Sequence, residues 1–165
     1  MRIVDSLIME LEQEATTTRR VLERLPEAKF SWRPAAKSMS LGELGLHVAQ
    51  TPGAVANLAK ANIDTPPAFK QAEAASSKEL LAALDKSVAE AKAALNSWDD
   101  AKMMEMWSMS AGGKTIMAMP RIGLVRAIML NHWYHHRGQL AVYLRLLDVP
   151  VPSIYGPTAD ENPFA

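Results

Sequence analysis

Three of the chain's four histidines, His132, His135 and His136, fall within the short stretch NHWYHHRGQL. On an α-helix, His132 and His136 lie one turn apart on the same face, because they are four residues apart. Two imidazoles at this spacing can bind one metal ion, as they do in helical zinc sites. Since two ligands make only a weak site, the pattern calls for a third ligand elsewhere in the chain.

The remaining histidine, His47, is the candidate for that third ligand. It lies in LGELGLHVAQT, between Leu44 and Val48 on an apolar stripe with helical spacing. A site of three histidines with an open coordination position is typical of catalytic rather than structural metal centres. His135 falls on a more polar stripe and is expected at the surface, although a shift of one position in the helix phase would exchange it with His136.

A second interpretation is that these histidines are ordinary core residues of a helical interaction module. A pair of histidines four residues apart is weak evidence by itself, and a buried imidazole can be satisfied by hydrogen bonds alone. The metal interpretation depends on the combination, because three of the four histidines fall on predicted core stripes. From the residues alone both interpretations stay open.

Four amphipathic helices are predicted to carry these residues. Ser40 with Glu43, and Ser76 with Glu79, form capping-box patterns that mark the starts of the second and third helices. The first helix is expected to end at Pro26. We predict an all-α fold, a four-helix bundle formed by residues 1–165 as one domain. The predicted helices cover about residues 2–25, 41–58, 77–98 and 120–147.

Two local features should modify this simple pattern. Pro52 and Gly53 are expected to kink or interrupt the second helix. Before the last helix, MWSM and TIMAM flank Gly112 and Gly113, which predicts a short hairpin. The proline-rich segment after residue 147 is expected to be a wrap around the bundle or a loose end.

Composition excludes several classes of function. The 165 residues include 18 Lys and Arg and 18 Asp and Glu, so the zero net charge argues against nucleic acid or an anionic membrane as partner. Cysteine is absent, which excludes disulfides and a thiol nucleophile from the chain itself. Neither a signal peptide nor an apolar run long enough to span a membrane is recognisable, so we expect a cytoplasmic protein.

The motifs SMSLGELGLHVAQT, NHWYHHRGQL and MSAGGKTIMAMPR resemble the DinB/YfiT-like family of metal-dependent bacterial proteins over nearly the whole chain. The resemblance implies an up-down-down-up helical bundle that forms a homodimer. It also implies a divalent metal ion held by His47, His132 and His136, with the match to HRGQ fixing His136 as the ligand. Imidazole ligands suit zinc, nickel or iron, so they leave the identity of the metal open.

The resemblance leaves the reaction open as well. Members of the family that it resembles include thiol S-transferases, which join a small-molecule thiol to an electrophile, and a thiol-dependent isomerase. The same ion could instead activate water for hydrolysis. With no cysteine in the chain, the sulfur would come from a cosubstrate. The alternative is a non-catalytic metal-binding or stress-associated helical bundle, and no catalytic acid or base is assigned.

Residues near the histidines carry further expectations. Glu43 is interpreted as a capping residue in preference to a partner that orients His47, and Gln139 and Tyr143 share the inward side of the last helix. Arg137 is expected to point away from the site, into a salt bridge or a dimer contact. Trp133 is expected to be exposed at a dimer interface. The loop after the second helix and the hairpin should form the walls of a substrate pocket.

Overall fold

The computed structural model describes residues 1–68 and 72–165, and within them the chain is mostly helical with one two-stranded sheet. Helical segments occupy all four predicted positions, and the short helix α4 was not predicted. The up-down-down-up order remains a prediction. The elements are α1 (Ile3–Leu22), a 3-10 turn (Glu27–Lys29), α2 (Leu41–Leu58), α3 (Ser77–Asn96), α4 (Asp100–Met104), β1 (Met106–Ala111), β2 (Lys114–Pro120), α5 (Arg121–Leu124), a π-helical segment (Val125–Asn131) and α6 (His132–Leu146).

The helices are held by a core of aliphatic side chains and by well-formed N-termini. Helix α3 packs against both α1 and α2, and α6 packs against α2. The predicted cap of α2 is confirmed, because the Ser40 hydroxyl accepts a hydrogen bond from the Glu43 amide and the Glu43 carboxylate accepts one from the Ser40 amide. The Ser76 hydroxyl likewise accepts the Glu79 amide at the start of α3. The contacts between Ser40 and Glu43 fix the start of α2, the helix that carries His47.

Of the two outcomes expected at Pro52 and Gly53, the interruption of the second helix is wrong, because α2 runs through both residues to Leu58, and the kink stays a prediction. Helix α3 supports this turn from outside. The Gly53 amide donates to the Ser87 hydroxyl, and that hydroxyl donates to the Gln50 carbonyl oxygen. A Cβ atom on Gly53 would lie 2.9 Å from the Ser87 backbone, so the glycine permits this close approach.

The predicted hairpin is present. Strands β1 and β2 are antiparallel, and their turn is made by Gly112 and Gly113, whose φ angles of 56° and 76° favour glycine. The hairpin is joined to the segment after α2 by backbone hydrogen bonds from Ile63 to Ser108 and from Ser110 to Ile63. The indole of Trp107 donates to the Ala61 carbonyl oxygen at 2.8 Å, so the hairpin is anchored beside the end of α2.

The last predicted helix differs in phase from the expectation. The expected inward side contained His132, His136 and Tyr143, but the buried residues of α6 are Trp133, Arg137, Leu140 and Leu144. The π-helical segment before α6 explains this difference of one residue, because its hydrogen bonds span five residues instead of four. As a result, the histidines lie on a half-buried face beside the core stripe.

The C-terminal segment forms a wrap, one of the two outcomes expected for it. The carboxylate of Glu161 forms ion pairs with Arg20 and Arg24 of α1, and Asp160 pairs with Arg145 of α6. Within the described ranges, none of the helices combines the length and the apolar character needed to cross a bilayer.

Candidate metal centre

The three histidines predicted as ligands lie together between α2 and α6. The Nε2 atom of His132 is 2.7 Å from that of His136 and 3.5 Å from that of His47. One ligand atom from each of the three residues lies within 4.8 Å of the others, and all three side chains are half-buried. Among the described residues, this group has a composition and geometry that could hold a metal ion.

Gln139 fixes the orientation of His136. Its Oε1 atom lies 2.7 Å from Nδ1 of His136, and its Nε2 atom lies 3.1 Å from Nε2 of His135. Since an amide oxygen only accepts hydrogen bonds, His136 Nδ1 must carry the proton and donate it. The lone pair of His136 Nε2 is therefore left facing the other two histidines, as a metal ligand requires.

Two of the three histidines, His47 and His136, are held in the neutral form. Burial, reinforced by the neighbouring His136 and His132, lowers the pKa of His47 to about 4. Burial also lowers the pKa of His136, against the opposing effect of its hydrogen bond to Gln139. Because only a neutral imidazole has a free lone pair for a metal ion, these shifts prepare both residues for binding near neutral pH.

His132 distinguishes this group from a set of ordinary core histidines. Its Nδ1 atom is buried and has no hydrogen-bond partner among the described residues. A histidine retained for packing is expected to have its polar atoms paired, since a buried unpaired nitrogen destabilises the fold. The cluster fits a divalent cation by its donor chemistry, because it offers three imidazole nitrogens, and two of the three residues are neutral by their lowered pKa.

A cavity of about 480 Å³ opens beside the cluster, and both His47 and His132 line it. The predicted walls, the loop after the second helix and the hairpin, contribute part of the lining, and α2 and the last helical segments contribute the rest. The other lining residues are Leu46, Gln50, Thr51, Ala54, Val55, Leu58, Pro67, Ala72, Trp107, Met109, Met117, Leu124 and Ile128. The histidines thus stand at one end of a largely apolar space of the size that small molecules occupy.

Two expectations for α6 need correction. Trp133 is fully buried, so it is not an exposed dimer contact, and its indole donates to the Val48 carbonyl oxygen at 2.8 Å. Arg137 does form the predicted salt bridge, with Glu14 at 2.6 Å, but it does so in the core at 1 % exposure, which rules out a surface contact. The phase shift caused by the π-helical segment carries both side chains inward.

The other residues singled out near the site have mainly structural contacts. His135 is exposed and outside the cluster, as predicted, and it contacts Gln139 by a hydrogen bond and the His136 ring edge-on. The Tyr143 hydroxyl donates to the Met39 carbonyl oxygen, and its ring packs edge-on against Trp32. Gln139 was expected on the inward side, but its contact with His136 was not foreseen. Its spacing of three residues from His136 was the available signal.

Comparison with known proteins agrees with this architecture. The sequence profile of the DinB family matches residues 2–162. An uncharacterized protein of Bacillus subtilis (strain 168), YrdA, is 23 % identical over 160 residues, which cover 96 % of this chain and 91 % of YrdA.

Solved structures show the same fold. A DinB-like protein from Bacillus cereus ATCC 10987 has a TM-score of 0.72 at 20 % identity, over 92 % of this chain and 97 % of that one. The DinB-like protein YjoA of B. subtilis has a TM-score of 0.68 at 21 % identity, over 90 % and 96 %. With the family profile matched along nearly its whole length, this chain belongs to the DinB family.

Proposed function

We propose that this chain is a divalent-metal protein in which His47, His132 and His136 are the ligands, and that it is an enzyme acting on a small molecule in the adjoining cavity. The observation that carries the proposal is the convergence of one nitrogen from each of the three histidines beside that cavity, which His47 and His132 line. Zinc, nickel and iron all suit such ligands.

The reaction that we propose is thiol S-transfer or hydrolysis. A bound divalent ion supplies Lewis-acid chemistry, which lowers the pKa of a thiol or of water beside it. The chain's own contribution is to hold His47 and His136 neutral, to orient His136 through Gln139, and to exclude water with the apolar cavity wall. Because the chain has no cysteine, a thiol would enter as a cosubstrate.

The four long helices are proposed to follow the up-down-down-up order, as one domain over residues 1–165, and the protein is proposed to be a homodimer. Both proposals rest on the family resemblance.

On the outer face of α6, Val142 and Leu146 are 57 % and 58 % exposed and four residues apart, so they form a small apolar surface suited to a subunit contact. Sedimentation analysis of the native protein and of Leu146→Glu tests the dimer.

Metal content is the decisive measurement. Untagged protein is reconstituted separately with zinc, nickel and iron(II), dialysed and analysed for metal, together with His132→Ala and His135→Ala. We expect about one ion per chain in the native protein and in His135→Ala, and almost none in His132→Ala. His135 is the matched control, because it lies in the same helix but outside the cluster. Native protein that takes up no metal, or equal loss in both variants, would contradict the metal site.

Catalysis is tested separately on the metal-loaded protein. Panels of low-molecular-weight thiols with electrophiles, and of esters and amides, are incubated with it and analysed by mass spectrometry. Conjugates or hydrolysis products that appear with native protein and not with His132→Ala would support an enzyme. Full metal loading with no turnover in either panel would favour the alternative, a non-catalytic metal-binding or stress-associated protein.

A further inference from the structure

The cavity beside the histidines has a wall without charged side chains. None of its described lining residues is Asp, Glu, Lys or Arg, and the polar ones among them are His47, His132, Gln50 and Thr51. The Thr51 hydroxyl already donates to the His47 carbonyl oxygen at 2.7 Å. A charged group buried there would lose its hydration without gaining a partner of opposite charge, which is strongly unfavourable.

The apolar part of the wall offers bulk and adaptable contact in place of directed hydrogen bonds. The Trp107 indole nitrogen is already committed to the carbonyl oxygens of Leu58 and Ala61, so its ring is what remains for the cavity. Met109 and Met117 face each other across the hairpin and both line the cavity. Methionine is flexible and polarizable, and it suits surfaces that adapt to apolar ligands of different shape.

We infer that the substrate of this site is a neutral, predominantly apolar small molecule with its reactive polar atom at the His47 and His132 end. The placement of the reactive atom beside His47 and His132 rests on the proposed function. The polarity of the cavity itself stands independently of the metal. The volume of about 480 Å³ lies within the range of roughly 300 to 1,000 Å³ usual for small-molecule sites.

Binding of three matched naphthalene probes tests the inference by calorimetry. They are 1-naphthalenemethanol, 1-naphthylmethylammonium and naphthalene-1-sulfonate, which are neutral, cationic and anionic. Each is titrated into zinc-loaded native protein and into metal-free His132→Ala, because an anion can also bind zinc directly. We expect the neutral probe to bind at least about tenfold more tightly than either charged probe to the metal-free variant, since nothing in the described wall compensates a charge.

Ala54 allows a test of location, because it lines the cavity and is exposed. Ala54→Phe should weaken the neutral probe, whereas Ala82→Phe on the exposed face of α3 should not, and Ala54→Glu should shift the preference towards the cation. Charged probes that bind as tightly as the neutral one, or binding that ignores Ala54→Phe, would overturn the inference. Metal content is measured on the same samples, so a missing metal with intact neutral binding would refute the proposed function alone.

A separate observation concerns how α2 and α6 are held at the site. Pro52 has no amide hydrogen, so it cannot form the helical hydrogen bond to the carbonyl oxygen of Val48, four residues earlier. That oxygen instead accepts the indole hydrogen of Trp133 at 2.8 Å, and the side chains of Val48 and Trp133 are fully buried. Val48 is the neighbour of His47, and Trp133 is the neighbour of His132.

We propose that Trp133 is a positioning residue of the metal site, and that Pro52 leaves the Val48 carbonyl oxygen free to accept the hydrogen bond from Trp133. The bond ties the two helices together one residue away from a ligand on each side. A shift of either helix would move His47 relative to His132, whose Nε2 atoms are 3.5 Å apart. Loss of a group that hydrogen-bonds a metal ligand typically weakens metal binding by roughly 10- to 100-fold, and for this contact, one residue farther out, we expect the lower end of that range.

Pro52→Ala makes this proposal separable from simple stability, because alanine restores the amide donor for Val48. Zinc affinity by competition with a chromophoric chelator and unfolding in urea are measured for Trp133→Phe, Pro52→Ala and the double variant. We expect Trp133→Phe to lose both affinity and stability, and the double variant to regain stability while its zinc affinity stays about 10-fold or more below native. Trp98→Phe is the control for removing a buried indole elsewhere.

Two results would overturn the positioning role. One is native zinc affinity in the double variant, which would mean that Trp133 only satisfies a carbonyl. The other is native affinity in Trp133→Phe itself. Should Trp133→Phe not fold alone, the comparison of Pro52→Ala with the double variant still decides between the two roles. In both of these variants the amide of residue 52 can donate to the Val48 carbonyl oxygen.

Discussion

Two polar clusters lie on neighbouring faces of α6, and the protein satisfies them to different degrees. Arg137 is 1 % exposed and is matched by the Glu14 carboxylate, the Thr18 hydroxyl and the Tyr155 hydroxyl. The histidine nitrogens face one another, and His132 Nδ1 has no partner in the described part of the chain. The fold therefore satisfies Arg137 with its own groups and leaves His132 Nδ1 without a partner, a difference that agrees with the proposal of an external ligand for the histidines.

The largest expected effect comes from breaking the satisfied cluster. Arg137→Met leaves the buried Glu14 carboxylate without its cation, which should lower the free energy of unfolding by about 3–5 kcal/mol. Urea unfolding of the metal-free protein measures this. Zinc stoichiometry of the folded fraction should be unchanged, because Arg137 faces away from the histidines.

Arg126→Met is the control for that prediction. The ion pair of Arg126 with Glu10 is 48 % and 31 % exposed, and exposed pairs contribute at most about 1 kcal/mol. Equal losses in the two arginine variants would show that the Arg137 cluster is not the structural counterpart that its contacts suggest.

A smaller effect is expected at the contact that prepares the histidine cluster. Gln139→Leu removes the acceptor for His136 Nδ1, so the imidazole loses its fixed tautomer and zinc affinity should fall by about 10- to 100-fold. Chelator competition measures the affinity, and unfolding of the metal-free protein should change little. Gln139→Glu keeps an acceptor at this position and should retain affinity. A glutamate variant as weak as the leucine variant would contradict the role of the hydrogen bond.

Tyr155 offers a finer test of the satisfied cluster. Its hydroxyl donates to Glu14 at 3.0 Å and accepts from Arg137 at 2.5 Å, although most of the residue is exposed. Tyr155→Phe should therefore lower the free energy of unfolding by only about 1 kcal/mol. In an Arg137→Met background the same change should cost more than in the native protein, because the Tyr155 hydroxyl is then a remaining donor to the buried Glu14 carboxylate. Additive losses would show that the two residues act independently.

Much of the candidate site could be predicted because it depends on local spacing. A helix places residues i and i+4 together whatever surrounds it, so the pairing of His132 with His136 follows from the sequence. The hairpin could be predicted for the same reason, since its turn needs adjacent glycines with positive φ. His47 could be associated with them because it is the one remaining inward histidine.

The errors arose where distant contacts decide the outcome. The expected helix phase assumed a regular period, and the π-helical turn at Val125–Asn131 shifts it by one residue. The burial of Trp133 depends on a carbonyl that Pro52 leaves free in another helix. Arg137 is buried because Glu14 and Thr18 of α1 receive it. Glu14 and Thr18 are four residues apart on the buried face of α1, which is a signal in the sequence. That signal does not identify Arg137 as their partner.

The smallest expected effect concerns the wrap, whose contacts are polar and near the surface. Asp160 accepts the Val151 amide at 2.8 Å, and Glu161 accepts the Ser153 amide at 2.8 Å. The hydrogen bond from Arg145, followed by that from Val151, lowers the pKa of Asp160 below 3.8. The Ser153 amide, followed by Arg24, lowers the pKa of Glu161 below 4.5.

Because these carboxyl groups have lowered pKa values in the folded chain, their contribution to docking is fully present above their ordinary pKa values and is lost as the pH falls through the lowered ones. The amide proton signals of Val151 and Ser153 should therefore titrate together at acid pH, while signals from the core helices stay unchanged. Asp160→Asn should abolish the titration of Val151 and leave that of Ser153. Titration midpoints at or above the ordinary carboxyl pKa values would mean that these ion pairs do not hold the wrap. The polar groups of the wrap would then be incompletely satisfied, like those of the histidine cluster and unlike those around Arg137.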